Sequence, residues 1–275
     1  MSTYARPETL KDALRLMASG GWQVLAGGTD LYPGAGRGLA GAVLDLTAVP
    51  DLVGISAGPD LRIGAATRWA DIAAADLPPA LWALQQAARA VGGRQVQNAG
   101  TIGGNLCNAS PAADGVPPLL AVDACVDLRS AGAQRQVPLA EFLQGPRQTA
   151  LRKDEVLSAI VIPALGLQGR SAFVKLGARS HLVISIAMVA ARVVLDGDRV
   201  ASAAIAVGSC APTAVRLPLV EAALVGARRD ELAARILPKD VQVALAPIDD
   251  IRATAAYRRQ AAVELVRRAV AGAVP

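Results

Sequence analysis

The amino-acid sequence predicts an α+β protein of two domains, the second a smaller α/β unit with a sheet backed by helices. Three observations carry this prediction. Helix-period and strand-like segments are mixed along all 275 residues, a length that at roughly 150 residues per domain gives about two domains. Hydrophobic residues make up 53% of the chain and charged ones 19%, enough apolar material for more than one core. After Pro163, the stretch Ala164–Gly169 is short, glycine-containing and uncharged, which reads as a linker. The boundary is therefore placed at 165/166, giving domains 1–165 and 166–275.

Taken in order, Thr9 can cap a helix from Thr9 to Ser19, whose Leu10, Ala13, Leu14 and Met17 keep helical spacing and which Gly20-Gly21 stops. Gln23–Ala26 is a short buried strand that runs straight into Gly27-Gly28-Thr29-Asp30, and a second strand follows at Ala42–Leu46. Leu61–Gly64 alternates as a strand does, Trp69–Ala75 and Pro79–Val91 are helical, and Val122–Leu128 and Val156–Ile162 are apolar strands. Beyond the linker, strands Ser185–Leu195 and Val200–Val207 meet at the hairpin signal Asp196-Gly197-Asp198. Short helices are expected at Leu217–Leu224 and Asp230–Leu237, and a last helix carrying Tyr257, Leu265 and Val266 begins at Asp249-Asp250.

Composition excludes several classes of function. The formal charge of +5 comes from scattered residues with doublets such as Arg228-Arg229, Arg258-Arg259 and Arg267-Arg268, which read as solvated helix faces. With aromatics at 3%, stacking platforms for nucleic acid are missing. Cys107, Cys125 and Cys210 lie far apart without a CxxC, so the chain holds neither a disulfide framework nor a four-cysteine metal or cluster site, and each reads as a small buried residue. The lone histidine, His181, has no GxSxG elbow to serve, which argues against a hydrolase. Asp123, Asp127, Arg192 and Asp196 interrupt the most apolar stretches, so no membrane span is expected. The start, with Arg6, Pro7, Glu8 and Lys11, lacks the apolar block of a secretory signal, and a cytoplasmic location is expected.

Three glycine patterns remain. Gly36, Gly38 and Gly41 fit GxGxxG but precede a strand where the dinucleotide fingerprint needs a helix, so the pattern is a decoy. Gly27-Gly28-Thr29-Asp30, directly after a buried strand, lets backbone N–H groups converge on a phosphate without a helix. Thr101-Ile102-Gly103-Gly104-Asn105 offers the same chemistry and leads into Asn108, Ser110 and Asp114, groups suited to sugar or polyol hydroxyls.

These segments, Val-Leu-Ala-Gly-Gly-Thr-Asp-Leu at 24–31 and Thr-Ile-Gly-Gly-Asn-Leu-Cys-Asn-Ala-Ser-Pro-Ala-Ala-Asp at 101–114, resemble the FAD-binding medium subunit of the molybdenum hydroxylases. That family includes the flavin parts of xanthine dehydrogenase, aerobic carbon monoxide dehydrogenase and 4-hydroxybenzoyl-CoA reductase. Leu61–Thr67, Asp154–Pro163, Phe173–Arg179, Ala206–Arg216 and Tyr257-Arg258-Arg259 also resemble its landmarks, so the likeness spans nearly the whole chain. It implies a two-lobed FAD-binding domain of the vanillyl-alcohol-oxidase type, with lobes of about 1–57 and 58–165, and FAD lying between the lobes and against the second domain. Carried over by position, Val24, Leu25, Ala26, Gly27, Gly28, Thr29, Asp30 and Leu31, together with Thr101, Ile102, Gly103, Gly104 and Asn105, hold the diphosphate, and Ser110 belongs to the same motif. Asp114 accepts hydrogen bonds from cofactor hydroxyls; its plainer reading is an N-cap or Asx turn before Pro117. Leu157 and Lys175 match positions at the adenine or flavin end. Lys175 has two readings of equal weight, a cation that stabilises the reduced ring and a surface residue.

Two departures stand out. Val91 occupies the place of an aromatic residue beside the flavin in xanthine dehydrogenase, and Ser185-Ile186-Ala187 stands where many members have Asp-Ile-Ala. The four-cysteine insertion of the 4-hydroxybenzoyl-CoA reductase branch is missing, and His181 falls near the flavin end with a structural role expected. The resemblance implies an electron-transfer subunit with non-covalent FAD and no catalytic side chain or metal ligand of its own. It would be fed by a small subunit with [2Fe–2S] clusters and a large molybdenum-pterin subunit, in a dimer of heterotrimers, and would pass electrons to NAD+ or another acceptor. The alternatives are a flavin-free structural subunit that holds the complex together and a stand-alone flavin oxidase, which would need a substrate base.

Overall fold

The computed structural model describes residues 3–36, 38, 39 and 41–274; residues 1, 2, 37, 40 and 275, including the ends of the two expected domains, lie outside the described residues. The first lobe opens with β1 (Tyr4–Ala5) and α1 (Leu10–Ala18), which Thr9 caps by accepting the Asp12 N–H at 3.1 Å. The four spaced apolar residues of α1 are all buried. Then come β2 (Trp22–Leu25), the glycine turn, α2 (Leu31–Gly34) and β3 (Ala42–Asp45), with the strands in the parallel order β1-β3-β2. β2 thus ends at an edge and delivers the glycine turn to the space beside the sheet.

The second lobe is an antiparallel sheet wrapped by helices. Along the chain it has β4 (Ile55–Ser56), β5 (Leu61–Gly64), α3 (Trp69–Ala74), α4 (Trp82–Ala90), α5 (Arg94–Ala99), α6 (Ile102–Asn108) and α7 (Val116–Ala121). β6 (Cys125–Arg129), β7 (Gln134–Pro138), α8 (Leu139–Phe142), the hairpin β8 (Leu143–Gly145) and β9 (Gln148–Thr149), and β10 (Val156–Ile162) complete it. The sheet order is β4-β5-β10-β6-β7, and Trp69, Ile102, Leu106, Leu119, Leu128 and Phe142 are fully buried in its core.

The C-terminal sheet runs β11 (Arg170–Leu176), β12 (Ala187–Asp196), β13 (Arg199–Gly208) and β14 (Val215–Arg216), all antiparallel. Asp196 pairs with Arg199 across a two-residue turn with Gly197 at φ +62, the geometry the sequence signals. Helices α9 (Pro218–Leu224), α10 (Leu232–Arg235), α11 (Pro238–Gln242) and α12 (Ala255–Ala273) back it with a second core.

Four local expectations change. Ala164–Leu167 is a 3-10 turn rather than an extended connection, and within it Gly166 is packed so closely that a Cβ would stand 2.2 Å from the Val122 carbonyl oxygen. The last helix begins after Thr254, whose hydroxyl accepts the Tyr257 N–H, while Asp250 accepts from the Arg252 and Ala253 N–H groups in a turn ahead of it. The region expected as one helix from Asp230 to Leu237 is a 3-10 turn at Arg229–Glu231 followed by α10. Arg258 is 3% exposed and belongs to no solvated face: it donates to the carbonyls of Ile186 (2.5 Å) and Ser209 (3.1 Å) and to Asp250 Oδ1 (2.6 Å).

Burial opposes the Asp250 charge, but the Arg252 N–H, the Arg258 and Arg252 guanidiniums and the Ala253 N–H outweigh it and hold the carboxyl at about 2. A depressed carboxyl pKa contributes stability above its unfolded value, near 4, that is lost as pH falls toward 2. Acid titration of the folded signal is expected to show stability declining across this window, and Asp250→Asn should flatten that part of the curve.

Two guanidiniums join the domains, that of Arg192 buried and that of Arg216 half-buried. Arg192 donates to the carbonyl of Ala121 at 2.7 Å and to those of Leu165 and Gln168, and Arg216 donates to that of Leu120 at 3.0 Å. Both therefore sit at the carbonyl end of α7, where a cation is favoured. Beside them Ala83, Ala121, Ala190 and Ala204 pack in a small-residue contact that lets α4 and α7 lie close to the second sheet. Among the described residues, no helix is long and apolar enough to cross a membrane.

Candidate cofactor site

The two glycine segments, some seventy positions apart, meet in space. A Cβ on Gly27 would lie 2.1 Å from the Ala99 carbonyl oxygen, and one on Gly100 would lie 3.4 Å from Thr29 Oγ1. Gly28 has φ +68, the left-handed region that favours glycine, while the Tyr32 ring 2.4 Å from where a Cβ would be is exposed and free to turn aside. Among the described residues, no acceptor in the chain is paired with the N–H groups of Gly27, Gly28 or Thr29. The turn therefore brings donors without a partner among the described residues to the cavity wall.

The second segment is built differently from its expected turn. Thr101 caps α6, and Gly103 and Gly104 lie inside the helix. Its first N–H groups are already used: Ile102 donates to the Thr67 carbonyl, Gly103 to that of Ala65, and Gly104 to Thr101 Oγ1 at 3.1 Å. What this segment offers is a wall without side chains, the Thr101 hydroxyl and the Asn105 amide. Asn105 Oδ1 is buried with no hydrogen-bond partner among the described residues, a cost that a donor on a ligand would relieve.

Between these walls lies a cavity of about 1310 Å³, above the usual range for small-molecule sites. Val24, Ala26, Gly27, Gly28, Thr29, Asp30, Leu31, Val91, Thr101, Gly103, Gly104, Asn105, Ser110, Asp114 and Leu157 all line it. Leu25 and Ile102 do not: both side chains are buried in the protein, because the strand and helix periods turn them inward. Gly38 of the rejected GxGxxG also lines the cavity, from a loop with no helix after it. Residues that the sequence did not single out include Gln23, Arg147, Glu155 and the strip Leu182-Val183-Ile184, which the C-terminal domain lays against the Val91-Gly92 end. The strip is held by the Leu182 N–H on the Gly92 carbonyl, and His181 beside it is exposed. Only the apolar run Leu182–Ile184 ahead of the strand hinted at this strip; Arg147 and Glu155 left no local signal.

Asp114 is 7% exposed and makes no helix cap; Gly115 holds that position. Its Oδ2 accepts from Lys175 Nζ and its Oδ1 from the Ser185 hydroxyl, both at 2.6 Å. Burial pushes the Asp114 carboxyl above its ordinary value, and the Lys175 charge and the two hydrogen bonds pull it part of the way back. Lys175 is neither a surface residue nor a lining one: its side chain is 12% exposed and also donates to the Ala90 carbonyl at 3.1 Å. Glu155 is also buried; its bidentate pair with Arg135, at 2.7 and 2.8 Å, lowers its pKa against the cost of burial. Cys107, expected to be buried, is exposed and opens onto the cavity. Among the described residues, no group of His, Cys, Asp and Glu is placed to hold a metal.

Residues 1–165 match a family described as the FAD binding domain in molybdopterin dehydrogenase, and residues 172–273 match the CO dehydrogenase flavoprotein C-terminal domain. The xanthine dehydrogenase FAD-binding subunit of Escherichia coli O157:H7 is 30% identical over 282 residues, spanning 99% of this chain and 96% of the relative. The carbon monoxide dehydrogenase medium chain of Afipia carboxidovorans is 33% identical over 97% of this chain and 94% of its own length. The reconstituted CO dehydrogenase from Oligotropha carboxidovorans has a chain that superimposes with a TM-score of 0.91 at 29% identity, covering 99% of this chain and 97% of that one. The chain therefore belongs to the family of FAD-binding medium subunits of the molybdenum hydroxylases, with the FAD-binding domain followed by the flavoprotein C-terminal domain.

Proposed function

We propose that the chain binds FAD non-covalently in this cavity, takes electrons from the [2Fe–2S] clusters of a small partner subunit and delivers them to an external acceptor such as NAD+. A large molybdenum-pterin subunit would oxidise the substrate, in a dimer of heterotrimers. The observation that carries the reading is the set of N–H donors at Gly27–Thr29, without a partner among the described residues, that lines with the α6 glycines a cavity large enough for a dinucleotide. FAD, when bound, supplies the electron-accepting ring. The N–H groups of Gly27, Gly28 and Thr29 would hold the diphosphate, with the Thr101 hydroxyl as a further donor. Asp114 would accept from polyol hydroxyls, and Val91 with Leu182–Ile184 would keep water from the ring end. Lys175 acts through Asp114: its charge is neutralised there, so it offers the ring no free cation.

Absorption spectra of the chain purified with its natural partners, repeated on the supernatant after acid precipitation, test this. About one released FAD per chain is the expected result. An intact complex with no flavin in either fraction would select the structural-subunit reading. Asp114→Asn is expected to weaken FAD binding about tenfold, because a hydrogen bond to a charged acceptor is worth roughly 1.5–3 kcal/mol.

A further inference from the structure

We infer that Ser185 is a positioning residue for the cofactor: together with Lys175 it fixes the Asp114 carboxylate facing the cavity, so that cofactor binding depends on how the C-terminal domain is docked. The inference rests on the FAD reading of the cavity and adds to it a role for a residue that does not itself line the site.

Asp114 belongs to the segment between α6 and α7 of the first domain, whereas Lys175 lies on β11 and Ser185 two residues before β12. The two donors are placed by one ladder. Lys175 pairs with Met188 and Leu176 with Ala187, and the Ile186 N–H bonds to the Leu176 carbonyl at 2.8 Å, so the chain just past the end of this strand pair is tied to β11, and from there Ser185 and Lys175 both reach Asp114. Arg258 holds the same Ile186 from the other side through its carbonyl. Ser185 is 1% exposed, so its hydroxyl has no water to turn to.

A carboxylate has about four acceptor positions. Here the ammonium takes one on Oδ2 and the hydroxyl one on Oδ1, and because Asp114 also lines the cavity, the positions left over serve a ligand that donates, such as a polyol. A lysine alone is a point charge about which the carboxylate can turn. A second donor on the other oxygen fixes the plane. Ser185 also stabilises the ionised form of a carboxyl that burial disfavours. Lys175 is the charge that acts on Asp114; the Ala90 carbonyl at the end of α4, the Asn105 amide of α6 and Ser185 itself are uncharged.

The test is a fluorescence titration of the full-length apo chain with FAD across pH 4–8, for the native sequence, Ser185→Ala, Asp114→Asn and the double variant. Ser185→Ala should weaken FAD about tenfold near pH 7. It should also raise the pH below which affinity falls, because the charged form of Asp114 loses a donor. In the Asp114→Asn background the same change should matter less than about twofold, the non-additivity expected of two groups acting as one. Should Ser185→Ala fail to fold, Ser185→Cys, a weaker donor, should give a smaller shift in the same direction. Native affinity and an unmoved pH midpoint in Ser185→Ala would overturn the inference while leaving the FAD site intact, as would an equal loss in both backgrounds. A native chain that takes up no FAD would remove the cavity's reading and the inference with it.

Discussion

Gly27→Ala is expected to give a chain that carries no FAD and melts several degrees lower than the native one. The added Cβ would stand 2.1 Å from the Ala99 carbonyl oxygen and 2.7 Å from Ala99 C and Gly100 Cα. All three are backbone atoms, so no side chain can swing aside, and one of the two segments must retreat. Overpacking of this kind costs about 1–3 kcal/mol or more, which for a chain of this size is a fall of roughly 2–4 °C per kcal/mol. The retreat would also part the N–H donors of Gly27–Thr29 from the α6 wall, which is why cofactor and stability should be lost together. Gly132→Ala, where a Cβ would meet nothing within 4 Å, is the control and should change neither. Flavin absorbance per chain and the melting temperature measure both effects, and a Gly27→Ala chain that kept its flavin would refute the close approach as the reason for the glycine.

Arg258→Met carries the largest expected loss of stability. The buried guanidinium ties α12 to the carbonyls before β12 and after β13 and to Asp250, so its removal leaves two carbonyls and a carboxylate short of a donor. Breaking a buried pair costs about 3–5 kcal/mol; Asp250 is partly exposed, so the lower end applies, about 3 kcal/mol. Denaturant unfolding should show a lower midpoint for Arg258→Met and little change for Arg259→Met, whose side chain is exposed. Equal midpoints for the two variants would mean that the buried pair contributes nothing net. Arg258 also supports Ile186, so the first variant should weaken FAD through Ser185 as well.

Much of the local structure was legible because it is written within a few residues. The spacing of Leu10, Ala13, Leu14 and Met17, the apolar run Val156–Ile162 and the turn at Gly197 each specify their element without distant help. The second glycine segment shows where this ends. Thr-Ile-Gly-Gly has the composition of a turn and equally of a capped helix start, and what decides is that the Thr67 and Ala65 carbonyls take its N–H groups. The stretch after Pro163 shows the same limit: a short uncharged run with glycine suits a connection and a 3-10 turn alike, and the packing of Gly166 against the Val122 carbonyl decides for the turn.

The sequence by itself determined the family, the two segments that build the cavity and the absence of a cysteine framework. It also marked Asp114, Lys175 and the Ser185-Ile186-Ala187 departure as separate features. Only the tertiary structure joined them. Lys175 and Ser185 lie 61 and 71 positions from Asp114, and they reach its two oxygens because β11 and β12 pair and the second domain docks on the first. Periodicity and capping act within about a turn of chain, whereas the partner of a buried charge is set by whichever segments the packing of two cores brings together.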